Sequence, residues 1–156
     1  MTKKAALVLL AAAFVLPARA DDRPAVAQPY APRLADIMGA TQLRHFKLWY
    51  AGTEKNWPLA TYELSQIRES FGDAMTYYPG LPISDMTTLA KPSAAIEAAI
   101  NAKDSTRFAA AFRSLTAGCN DCHRAQGMGF IKIKVPNASP FSNQVFAPNL
   151  PIRNAD

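Results

Sequence analysis

The chain has 156 residues, 49% of them hydrophobic, with 17 basic and 12 acidic side chains and a formal charge of +5. That length suits one domain, and only two cysteines and two histidines exclude a disulfide-dense scaffold or a set of zinc modules. The first 20 residues hold three of the 17 basic side chains and none of the 12 acidic ones, so without them the charge falls to +2; with no basic run and no basic-aromatic interleaving, no nucleic-acid partner is expected.

Residues 1–20 have the pattern of a signal peptide. Lys3 and Lys4 precede an apolar run from Ala5 to Leu16, and Ala18-Arg19-Ala20 is a small-x-small cleavage site. The run is about a dozen residues, where a membrane span needs about 20. A cleaved, periplasmic protein with no membrane insertion is therefore expected. Residues 21–32, with Pro24, Pro29 and Pro32, predict a flexible lead-in.

A first helix is predicted from Arg33 to Tyr50, with Leu34, Ile37, Met38, Thr41, His45, Leu48 and Trp49 on one face and Ala51-Gly52 as its stop. A second runs from Asn56 and Pro58, a polar cap and an early proline, to about Tyr78 before Pro79-Gly80. Its apolar residues Ala60, Leu64, Ile67, Phe71, Ala74 and Tyr78 step by four and three, the seam of a bundle. Residues 81–90 form a connector, and a short third helix opens at Pro92-Ser93 and closes near Lys103.

A fourth helix, capped by Asp104 or Ser105, runs to about Gln126 ahead of Gly127. Phe108, Phe112, Leu115, Cys119 and Cys122 continue the four-three stepping, so one stripe serves the core and carries both thiols. Residues 130–136 alternate like a strand, but a single strand without a partner builds no sheet. Residues 130–156 are accordingly expected to be an extended C-terminal arm lying over the bundle, held by Phe130, Phe141 and Phe146.

Cys119-Asn120-Asp121-Cys122-His123 is the one motif committed to a chemistry. C-x-x-C-H lets two thiols add to the vinyl groups of a haem while the adjacent imidazole takes an axial position on the iron. Cys119 and His123 share a helix face, with Cys122 one residue round. A thioredoxin-like pair would be expected beside a βαβ pattern, which is absent, and a structural zinc site needs four ligands, including two from the adjacent Cys122 and His123.

Four amphipathic helices with C-x-x-C-H in the last resemble the bundle-type, or class II, cytochromes c, the family of cytochrome c′ and cytochrome c-556. The resemblance spans residues 33–126 as topology, within a haem-binding bundle expected over residues 33–129, and is specific only at Cys119, Cys122 and His123. It implies an all-α four-helix bundle enclosing one covalently attached haem c, with His123 as the proximal iron ligand, and it leaves room for a homodimer. It also assigns the distal side to the first helix, where family members offer either a methionine or an apolar residue.

Met38 is the candidate distal ligand. His45, the only other histidine, is its rival, and the seven residues between them, about 10 Å along a helix, keep one iron from taking both. With Met38 on the iron, His45 and Arg44 are expected at the haem edge, and Arg44 or Lys47 at a propionate. The leading expectation is an exported monohaem electron carrier with Fe(II)/Fe(III) cycling and transient redox protein partners. The alternative is a cytochrome c′-like protein binding NO or CO at an open distal site. A weak peroxidase-like activity from Arg44 and His45 is disfavoured, because adjacent helical residues point about 100° apart.

Overall fold

The computed structural model describes residues 30–81 and 89–148. The expected leader, most of the lead-in, residues 82–88 of the connector and the end of the arm lie outside the described residues. Four helices are present: α1 (Leu34–Thr53), α2 (Trp57–Tyr77), α3 (Ala90–Asn101) and α4 (Ser105–Ala125). No strand occurs among the described residues. Each helix packs on the next in chain order and α1 also packs on α4, so the four close a ring.

The sequence writes the two tight corners twice over. After α1, Lys55 takes the left-handed conformation (φ 60°), its N–H donates to Gly52 O, and the Asn56 N–H donates back to Ala51 O. These are the two bonds of a Schellman stop, and Asn56 then accepts from Leu59 N as the N-cap of α2. The corner after α3 repeats the scheme with Lys103 (φ 52°) and Asp104, whose carboxylate accepts from Thr106 N and Arg107 N to start α4. One residue therefore closes each helix and opens the next, which leaves the chain no slack.

Gly52 does not stop α1 as expected, for the helix continues to Thr53. The reason is packing: a β-carbon there would lie 2.1 Å from the Phe108 ring, so glycine lets α1 and α4 approach. Helix α3 also begins at Ala90, two residues before Pro92, because a proline is tolerated throughout the first turn.

Along the α1–α4 seam the contacts run in opposite order. Gly52 lies on Phe108, Trp49 on Phe112, and His45 on Phe112 and Thr116. The two helices are thus antiparallel. Phe108, Phe112, Leu115, Leu48, Ile67 and Ile96 are fully buried, each contributing roughly 1.5–3 kcal/mol relative to exposure. This apolar block fills one end of the bundle, and the same helices, carried on by two more turns, bring Met38 opposite Cys119 and Cys122 at the other.

Candidate functional site

At that end is a cavity of about 460 Å³. Helix α1 contributes Leu34, Met38, Thr41 and His45 to its wall, α2 contributes Phe71, and α4 contributes Cys119, Cys122 and His123. Leu81 and Leu89, between α2 and α3, add to the wall, and the chain after α4 contributes Met128, Ile131 and Ile133. Met38 and the three residues of the motif therefore face one apolar space. Its size lies within the range of cofactor pockets.

His123 stands in the last turn of α4. Gly127, in the left-handed conformation (φ 71°), ends the helix with a third Schellman stop, and the Met128 N–H donates to His123 O at 2.7 Å. The chain is thereby turned back along the helix it has just left. Its return brings the Ile131 carbonyl to 3.0 Å from His123 Nδ1. A carbonyl only accepts, so Nδ1 carries a proton, and in the neutral ring the lone pair is then on Nε2, the form of imidazole that binds a metal.

No disulfide joins Cys119 to Cys122. Burial pushes the Cys119 thiol up to about 11, and the neighbouring Cys122 adds to the rise. A redox-active thiolate is instead lowered, commonly at a helix N-terminus, and this pair lies at a C-terminal end. No group of three or more His, Cys, Asp or Glu stands together among the described residues, so the four donors of a structural zinc site are not assembled here. Two thiols for vinyl groups, an imidazole with an available Nε2, a thioether opposite and apolar walls do fit a haem.

His45 lies at the cavity wall and is 4% exposed. Its Nε2 is 2.9 Å from Thr116 Oγ1, whose own proton goes to Phe112 O. The hydroxyl therefore accepts, and His45 is neutral with its proton on Nε2. Burial pulls it down to about 4.

Arg44, expected at a haem edge, is engaged on the α2 side of α1. It is not among the residues lining the cavity; its guanidinium meets the buried Glu63 carboxylate at 3.2 Å and lies over the Tyr62 ring. Adjacency to His45 is the cause, because the next residue on a helix points to another face. Lys47 is likewise drawn elsewhere, to the Phe141 ring.

The sequence reading missed Asn120, Thr116 and the return of residues 131–133. Asn120 Nδ2 donates to Ile133 O at 2.8 Å and its Oδ1 accepts from Ile133 N at 2.7 Å. This side chain stands in for the missing partner strand of residues 130–136. Phe130 does not hold the arm, being 78% exposed, whereas Phe146 is buried against Tyr50 and Phe141. Comparison with family models, curated proteins and solved structures returned no match.

Proposed function

We propose that this chain is an exported monohaem c-type cytochrome that carries electrons, in which Cys119 and Cys122 would hold the haem through thioether links and His123 and Met38 would ligate its iron. The observation that carries this reading is the apolar cavity shared by the thioether of α1 and the C-x-x-C-H of α4. A haem bound there supplies one-electron Fe(II)/Fe(III) chemistry.

The rest is the work of side chains. His123 presents Nε2 because Ile131 O holds the proton on Nδ1. Met38, partly buried against the core, offers a soft sulfur, which favours the reduced metal and raises the potential. Leu34, Phe71, Leu89 and Ile133 keep water from the site. His45 adds no charge near neutrality, and its Nε2 is committed to Thr116, which favours Met38 over it as the distal ligand. The periplasm is proposed from residues 1–20, and transient docking with other redox proteins follows from the carrier role. No helix among the described residues is long and apolar enough to cross a membrane.

The test is the optical spectrum of the mature protein, oxidised and reduced, with and without CO, for the wild type and Met38→Ala. A low-spin spectrum, indifferent to CO, with a sulfur-to-iron charge-transfer band lost in the variant is expected. A high-spin wild-type spectrum that shifts with CO would overturn the carrier reading.

A further inference from the structure

Asn120 occupies an interior position of C-x-x-C-H, a place at which the attachment chemistry asks for no particular side chain. Yet it is partly buried and both polar atoms of its carboxamide are used, on the N–H and C=O of one residue, Ile133, thirteen positions on. A carboxamide with one acceptor and two donors can pair with an extended backbone as a neighbouring strand would. Two residues before Ile133 is Ile131, whose carbonyl meets His123 Nδ1 at 3.0 Å. In extended backbone these two residues share an orientation, so fixing one sets the other. Of the other anchors of the return, Met128 N–H to His123 O holds its start and Val135 packs against the core beyond it, while the exposed Phe130 adds no packing.

We propose that Asn120 is a positioning residue for the axial histidine: its carboxamide holds residues 131–133 in register along α4, so that Ile131 O fixes the ring and tautomer of His123 and Ile131 and Ile133 close the cavity wall. This rests on the haem reading above. The outer partner of a ligating histidine governs the orientation and basicity of the ring, so Asn120 acts on the iron through two backbone groups without touching it. Ordinary side-chain clamps affect stability alone; this one has a spectroscopic consequence at His123.

The test uses the mature protein with its haem attached, in the reduced diamagnetic state, as wild type, Asn120→Ala and Asn120→Asp. The covalent haem content is measured together with the hydrogen exchange of the His123 Nδ1–H proton by NMR. With two hydrogen bonds of ordinary worth removed, exchange in Asn120→Ala is expected to quicken by about tenfold or more at unchanged haem content. Asn120→Asp keeps the acceptor for Ile133 N and loses the donor to Ile133 O, so it should fall on the same side, and it serves if the alanine variant folds poorly. Equal exchange rates in all three haem-loaded proteins would overturn the role of Asn120 and leave the haem reading intact. A wild type without covalent haem would overturn both.

Discussion

Gly52→Ala is the sharpest probe of how the bundle sets its site, because helix propensity and packing predict opposite signs. Alanine in place of glycine inside a helix gains up to about 1 kcal/mol. The new β-carbon, however, would lie 2.1, 2.2 and 2.6 Å from three atoms of the Phe108 ring, where carbon atoms need about 3.5 Å. The ring cannot swing aside freely: it is fully buried, with Trp49, Trp57 and Phe112 at centroid distances of 6.4, 6.2 and 6.0 Å. Overpacking of this kind costs roughly 1–3 kcal/mol, and expelling the ring would approach the roughly 3–5 kcal/mol of a Phe→Ala change. A net loss of about 2 kcal/mol is expected, read as a lower denaturation midpoint at unchanged slope. Phe108→Leu in the same chain should recover part of the loss, giving a coupling of about 1 kcal/mol or more. A Gly52→Ala protein as stable as the wild type would refute the close approach of α1 to α4, and with it the register that sets Met38 opposite Cys119 and Cys122.

Two further changes probe buried polar groups. Arg44→Ala leaves the Glu63 carboxylate, 1% exposed, without its cation; a loss of about 3 kcal/mol is expected, while Arg44→Met combined with Glu63→Leu should restore stability, and under the proposed haem function neither change should move the optical spectrum. For His45, the folded-state value near 4 lies below the ordinary 6.5. The unfolded chain therefore binds the extra proton between those limits, and stability present above pH 6.5 falls by about 3 kcal/mol as pH drops to about 4. His45→Gln should flatten that part of the stability profile, and an unchanged slope would refute the buried neutral ring. Thr116→Val, which strips the acceptor from His45 Nε2, is expected to cost about 1–3 kcal/mol in chemical denaturation.

Much of the fold was legible because its signals are local. The four-three stepping of Phe108, Phe112, Leu115, Cys119 and Cys122, and the caps Asn56 and Asp104, lie in short windows, and the helices begin within a few residues of where these place them. Gly52 misled, since a stop and a close approach call for the same residue, and only the position of Phe108, 56 residues later in the sequence, distinguishes them. The partners of Arg44 and Asn120 were illegible for the same reason. A charged residue next to His45 looks like part of a site until α2 supplies Glu63, and the clamp on Ile133 appears only once Gly127 has turned the chain back.

The chain after α4 was read as one arm, but its contacts divide it in two, and truncation after Pro136 separates the parts. Residues 131–133 are tied to α4 by hydrogen bonds at Asn120 and His123. Beyond Pro136 the ties are apolar and fall on α1: Phe141 meets Phe46 edge-on and lies beneath Lys47, while Phe146, 8% exposed, packs on Tyr50. Truncation removes the second set. Losing one buried and one half-buried phenylalanine should cost about 2–4 kcal/mol, an upper figure because the unfolded chain already shelters some apolar surface. Among the described residues the cavity lining ends at Ile133, so the spectrum and the His123 Nδ1–H exchange should remain those of the full chain. A truncated protein of unchanged stability but altered spectrum would reverse the assignment, making the distal half of the segment the cover of the site and the Asn120 clamp incidental.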